Sequence, residues 1–526
     1  MKRIPPFART LFPAAALLCL TAFWLFGTRH KLGRDNWHIT PNPLAWPAGA
    51  WLLPIGVLFI FGGLAAVSAY DRFKRANSRK SQKASTAISL GALCLLAIFW
   101  PASLLGPTLT GTSGVANLVQ AHWSDVANGY FGAAYEIEDP RQFTGEYPRQ
   151  SQTADSPTKA HVATHPPGAV LWYYGARRVF ENSPRLQNTF SGVARWLGHE
   201  DIDTVAAQSR DIVLQSSGQE VTLPTSAVPA ALWCAFLIAC CAALTVPAVY
   251  LLAAQSSDAE SVDTNEGRGL LAAALWVFAP TVGLFAFTLD VLIACGAAWT
   301  LVFLTRRGGW AWRFAAGIVL GLTSFLSFGA LAIWGICVLV VVLQRRIKDL
   351  LPMIAGFVFV WLVVMLLFPM QPLTIYRNAM AAHRAATLTS RSYGGWLLLN
   401  LVMFVLFAGW PLVVGTFRAL CQLKKTSPPA WSETAITVGI AALATMLLLT
   451  LSGNVRGEVE RLWLFLLAPL CALAAHALVV KTVGNEATDS SQKVNRISVV
   501  LCVVFLLLQP LQTLMMAASL APLVRP

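Results

Sequence analysis

The chain has 526 residues, of which 56% are apolar and only 12% charged, against about 25% charged for a soluble domain. That balance excludes an ordinary soluble globular protein. A net charge of +14 would suggest nucleic acid as a partner in a soluble chain; in so apolar a chain it reads as basic loops beside a membrane, and no nucleic acid is expected.

Apolar runs of roughly 20 residues recur from end to end, each long enough to cross about 30 Å of hydrocarbon as a helix. Backbone in lipid must satisfy its own hydrogen bonds, so these runs predict helices. In chain order the expected spans are roughly 10–27, 49–70, 86–105, 227–253, 269–288, 290–305, 313–325, 327–344, 350–369, 396–417, 432–452, 462–480 and 497–518. The stretch 313–344 reads as one broken span or two. The fold expected is an all-α polytopic membrane protein with about 13 transmembrane helices. Two N-terminal spans and a basic loop fill 1–85, and a larger unit covers 86–526. The first run has no small-x-small cleavage site before a polar segment, so it reads as an anchor.

Basic clusters alternate with the spans. They comprise Lys2, Arg3 and Arg9; Arg72 to Lys83; Arg306, Arg307 and Arg313; Arg345, Arg346 and Lys348; and Arg418, Lys424 and Lys425. All fall on one side if the N-terminus is cytoplasmic. The connection 28–48, with Arg29, His30, Lys31 and Arg34, argues against this. The acidic connection 254–267 is neutral, because Asp and Glu contribute little to orientation. On this reading 106–226, 370–395 and 453–461 lie outside the plasma (inner) membrane. The ten cysteines sit in or beside spans, with none in 106–226, so they read as small apolar fillers.

The outer segment 106–226 carries the candidate chemistry. Asp125 leads a stretch with Tyr130, Phe131 and Tyr135 at helical spacing. A carboxylate there suits a general base on an acceptor hydroxyl or the holding of a divalent cation, and equally a helix N-cap. Glu136, Glu138 and Asp139 follow, and Asp139-Pro140 reads as a helix stop. His165-Pro166-Pro167 reads as a turn opening an aromatic helix that ends at Arg177-Arg178 and suits the headgroup zone. His165 is a candidate phosphate donor or a structural loop histidine. The part 182–226 reads as a partly ordered insertion with a short helix around 201–214, and 254–268 as a polar mobile linker.

Two further outer segments carry charge. Arg377, Arg384 and Arg391 are spaced seven apart, with Tyr376 and His383 beside them. On one helix such a row would grip an anionic headgroup or polyprenyl phosphate, or simply snorkel. Arg456, Glu458, Glu460 and Arg461 press against the start of a span, where charge is costly unless paired or used. Arg456 and Glu460 have the spacing of a structural pair. Asp290, at the turn between two spans, reads as a lone acid with an N-cap as the alternative.

Together, the outer-loop Asp125, the Tyr130-Phe131 to Tyr135-Glu136 segment, the His165-Pro166-Pro167 turn and the train of spans from about residue 86 resemble the GT-C glycosyltransferase superfamily. They are similar to its family 39-like branch, which includes protein O-mannosyltransferases and lipid A aminoarabinose transferases. Many members carry two adjacent acids where Val126 follows Asp125 here, and the 182–226 insertion has no counterpart in the general pattern.

The resemblance implies a GT-C fold with a large extracytoplasmic catalytic loop, and transfer of a sugar from a polyprenyl-phosphate donor to a glycan, lipid or protein acceptor. Asp125 would be catalytic. Tyr130, Glu136, His165, Arg377, His383, Arg384, Arg456, Glu458 and Arg461 would bind substrate beside membrane lipid. No metal ligand set is assigned; a divalent cation is compatible but not required, and the cofactor is left open. The competing class is a transporter or flippase of a lipid-linked or anionic solute, which would place charges near the bilayer midplane.

Overall fold

A computed structural model describes residues 6–27, 31–34, 37–39, 52–74, 79–105, 114–124, 129–150, 160–198, 200–218, 220–255, 262–423, 433–479 and 489–520. Among them the only sheet is a short antiparallel hairpin, Leu32–Arg34 with Trp37–Ile39. All other regular structure is helical.

Seven helical segments are long and apolar enough to cross a membrane: Thr10–Gly27, Leu52–Ala69, Ser81–Ser103, Ala227–Ala254, Ile347–Leu367, Thr434–Ser452 and Val459–Leu478. An eighth candidate is a broken one. The run expected as a single span at 396–417 is two helices, Tyr393–Ala408 and Trp410–Leu423, bent by 112°. Shorter apolar helices are Asp290–Thr305, Trp310–Leu326, Phe328–Leu343 and Val503–Ser519. The stretch 313–344 is therefore two helices, parted at Ser327, whose hydroxyl caps the next turn by accepting from Gly329 N.

Breaks inside an apolar bundle free backbone groups that lipid cannot satisfy. The break in 393–423 falls at Gly409, whose φ of +93° is open to glycine and strained for other residues. A second break separates Val262–Val277 from the short helix Pro280–Phe285, so the run expected at 269–288 is also not one helix. Both breaks are closed by one face of the last helix, Asp489–Ser519. Gln509 Nε2 donates to Leu275 O and Ala408 O, Gln512 Nε2 donates to Leu406 O, and Thr513 Oγ1 donates to Phe278 O. Gln512 Oε1 also accepts from Trp410 N. Positions 509, 512 and 513 share a helical face, so one polar stripe serves two discontinuities.

Contacts between distant loops define two ends of the bundle. At one, Arg313 Nε pairs with Asp349 Oδ2 at 3.2 Å, Arg346 pairs with the same carboxylate, and Arg306 stacks over Trp312 at 4.0 Å. At this end too, Thr86 donates to Glu266 at 2.9 Å. Glu266 lies in Val262–Val277, so the polar segment expected to be a mobile linker is helical from Val262 onward; residues 256–261 lie outside the described set.

At the other end, Arg141 Nε donates to Leu367 O, His383 Nε2 to Asn454 O, and Tyr393 Oη to Leu451 O. Gln422 Nε2 reaches Ala477 O, at the far end of Val459–Leu478, so the broken pair 393–423 runs from one end to the other.

The described residues of the hydrophilic part 129–226 pack on this second end as a helical cap. Gly168 opens the helix Gly168–Glu181, and a Cβ there would stand 2.0 Å from Phe325 O, so only glycine lets the Pro-Pro turn seat on the bundle. The 182–226 insertion is more ordered than expected. It holds two helices, Pro184–Gly198 and Ile202–Ser217, because Phe190, Ala194, Val205 and Ala206 supply a buried stripe that its polar composition hides. Phe190 meets Trp233 and Phe236 of the span Ala227–Ala254.

Candidate functional site

The charge at this end is organised as a chain of alternating signs. Asp290 is the first residue of Asp290–Thr305, where a carboxylate complements the helix dipole. Its Oδ2 pairs with Arg461 Nη1 at 3.1 Å. Arg461 Nη2 lies 2.5 Å from Glu458 Oε2, and Glu458 Oε1 lies 3.1 Å from Arg391 Nη2. The side chains of Asp290, Arg461 and Arg391 are each within 13% of full burial, while Glu458 is 27% exposed. Four charges in series satisfy one another, which is how buried charge becomes tolerable.

The loop 453–458 is held rigidly around this chain. Asn400 Nδ2 donates to Val455 O at 2.7 Å, and Asn400 Oδ1 accepts from Gly457 N at 3.0 Å. Arg456 donates to Gly453 O (3.0 Å), Leu388 O (2.8 Å) and Arg391 O (2.5 Å). The expected Arg456–Glu460 pair does not form, because the guanidinium is spent on carbonyls and ties the two outer loops together. Glu460 instead is 4% exposed, and its Oε2 has no hydrogen-bond partner among the described residues. Its backbone O accepts from Thr281 Oγ1.

An aromatic wall adjoins the charges. Tyr130 is buried, meets His165 edge-on at 5.4 Å and stacks on Tyr173 at 6.4 Å. The Tyr173 hydroxyl lies 2.9 Å from His122 Nδ1. Burial pushes the Tyr130 phenol well above its ordinary range; the Asp290 carboxylate adds to this and Arg461 opposes it. That coupling places Tyr130 within electrostatic reach of the ion-pair chain. Burial also holds His122 neutral, its pKa lowered to about 4. Tyr147 donates to Val162 O and His165 O, fixing the turn before Pro166.

The structure thus gathers Tyr130, His165, Arg456, Glu458 and Arg461 at one end and leaves several other expected site residues outside this cluster. Asp125 lies outside the described residues, though Ser124 and Gly129 on either side of it are described. Glu136 is exposed at the C-terminus of Tyr130–Tyr135. Asp139-Pro140 begins a helix as well as following one: Asp139 Oδ1 accepts from Arg141 N at the start of Pro140–Gln150.

The Arg377–Arg384–Arg391 row is broken. Arg377 sits in Pro372–His383, Arg384 opens a π-helical turn Arg384–Leu388, and Arg391 lies past it, turned toward Glu458. Arg377 and Arg384 are exposed, and His383 is engaged with Asn454 O at 2.6 Å. The wider turn shifts the register that seven-residue spacing assumes.

Asp290, Asn400, His122 and Tyr173 were not singled out as site residues. Asp290 carried a usable signal, an acid heading an apolar helix. Asn400 sits among apolar neighbours, and His122 and Tyr173 stand beside other aromatic residues; none of the three carried a signal.

Fold and charge distribution define a predominantly helical protein embedded in a membrane, with a helical cap and a buried ion-pair chain at one end. No protein-family model matches the chain, and no curated protein matches it.

Proposed function

We propose that this chain is an integral membrane glycosyltransferase of GT-C type, family 39-like, moving a sugar from a polyprenyl-phosphate donor to an acceptor on the extracytoplasmic face. The observation that carries the reading is the chain Asp290–Arg461–Glu458–Arg391 at the same end as the 129–226 cap. Arg306, Arg313 and Arg346 gather at the opposite end, as the positive-inside rule wants for a cytoplasmic face. Seven long apolar helices, the bent pair and four shorter apolar helices are twelve candidate crossings, and the apolar half of Val262–Val277 would lead into a thirteenth.

In the proposed mechanism Asp125 takes the proton of the acceptor hydroxyl, whose oxygen attacks the anomeric carbon with inversion as the lipid phosphate departs. Buried guanidinium groups stabilise the charge that grows on that phosphate. A lipid-linked donor holds its phosphate at the membrane rim, where Arg391 and Arg461 lie on this reading. The two broken helices favour a transporter at first sight. However, Leu275 O, Phe278 O, Leu406 O and Ala408 O are already taken by the last helix, so these breaks serve packing.

The test is transfer from a radiolabelled polyprenyl-phosphate sugar by the purified protein. Parent activity is expected, with Asp125→Asn inactive. Undiminished turnover in the variant would remove Asp125 from the mechanism, and solute counterflow without transfer would favour the transporter.

A further inference from the structure

Glu458 is held in an unusual way. Its φ of +59° is left-handed, one of two such non-glycine residues among those described, and it follows Gly457 at +90°. The side chain spreads its two carboxylate oxygens over two arginines, Oε1 on Arg391 Nη2 and Oε2 on Arg461 Nη2. Both guanidinium groups are anchored from behind by their other nitrogens. Arg391 Nη1 donates to Arg456 O, and Arg461 Nη1 donates to Asp290 Oδ2. Two fixed N–H donors therefore converge on one anionic group, Arg391 standing 67 residues from Glu458 in sequence and Arg461 only three. Arginine holds two phosphate oxygens in this manner, and a carboxylate is the nearest protein group to such a ligand.

We propose that Arg391 and Arg461 form a two-arginine phosphate clamp and that Glu458 is its resident stand-in. The ligand is a phosphate ester or diphosphate, and its arrival displaces the carboxylate toward water. Of the three side chains Glu458 is the most exposed, at 27% against 12% and 13%, so it has the shortest way out. Leaving lets its backbone relax from the left-handed conformation, and strain of this kind gathers at ligand clamps and switches. The empty site is then filled with a carboxylate shared by both guanidinium groups, with Asp290 still holding Arg461 from behind. The assignment rests on the glycosyltransferase reading for its ligand class and on the geometry for its residues. It makes Glu458 a self-occluding group rather than a substrate contact.

The test uses the full chain in lipid nanodiscs, with inorganic pyrophosphate in one arm and a polyprenyl phosphate in the bilayer in the other. Glu458→Gln keeps shape and loses charge, and Glu458→Gly removes the side chain where glycine fits the backbone. Both are expected to bind the probe about tenfold more tightly than parent, the scale of removing one competing charge-assisted contact. Adding Arg391→Gln abolishes the gain. A gain in the soluble arm identifies a free phosphate, and one confined to the bilayer arm a lipid headgroup; either supports the clamp.

No gain in either arm, or an equal gain from Glu146→Gln, an exposed acid of the helical cap at the same end, overturns it. Binding and transfer fail separately. Tighter phosphate binding without sugar transfer sinks the transferase and keeps the clamp, and transfer without the gain does the reverse.

Discussion

Asp290 and Arg461 are 171 residues apart in sequence, and their side chains lie 3.1 Å apart in a largely buried ion pair. Breaking such a pair from one side leaves an uncompensated charge, which costs about 3–5 kcal/mol. Arg461→Gln strips a partner from both Asp290 and Glu458 and is expected near the top of that range. Asp290→Asn leaves Glu458 on Arg461 and costs less. Thermal unfolding of the two variants in detergent checks the order; equal losses would show that Glu458 contributes nothing to holding Arg461.

Arg456 is a strut. Its three bonds to carbonyls of two loops give Arg456→Lys too few well-placed donors, so a loss of about 2–3 kcal/mol is expected. Hydrogen exchange should quicken in 384–391 and 453–458 together while exchange elsewhere is unchanged. Acceleration in one loop alone would contradict a shared tie.

The last helix seals two breaks, and its glutamines should matter more than its apolar residues. Gln509→Leu strands Leu275 O and Ala408 O, and Gln512→Leu strands Leu406 O and Trp410 N. Each stranded buried group costs about 1–3 kcal/mol. Both variants should unfold earlier despite their greater hydrophobicity. A stabilised Gln512→Leu would mean that the carbonyls find other partners.

His122 gives the protein an acid limb. Its folded pKa is lowered to about 4 from an ordinary 6.5 by burial, so between these values the unfolded chain binds the proton more readily. Its contribution is complete above pH 6.5 and is lost as pH falls to about 4, roughly 3 kcal/mol over that window at 1.36 kcal/mol per unit. In His122→Asn the slope of stability against pH should flatten between these limits. An unchanged slope would place the acid limb elsewhere.

Seven of the expected spans were legible as single long helices because lipid leaves a chain few choices: an apolar run of sufficient length must become a helix. The helix around 201–214 was legible too, and forms as Ile202–Ser217. Its neighbour Pro184–Gly198 was not, since Phe190 and Ala194 are too few to mark a stripe among polar residues. The breaks at Gly409 and after Val277 were also hidden, because an uninterrupted apolar run looks the same whether its carbonyls bond within the helix or to a glutamine a hundred residues away.

The charged cluster around Arg461 was visible as a density of charge at a span entrance. Its partners were not. Helical spacing offered Glu460 to Arg456, and the seven-residue row offered Arg391 to a shared face with Arg377 and Arg384; a π turn and a left-handed Glu458 dissolved both arrangements.

By itself, then, the sequence determined the solvent this protein folds in, the seven long apolar helices that suit it, and which loops are basic. Those properties follow from transfer energies of single residues and need no partner. Tertiary structure alone decided which charges meet. An ion pair between Asp290 and Arg461, or a carboxylate held between Arg391 and Arg461, depends on where helices distant in sequence place their ends, and no local periodicity carries that information.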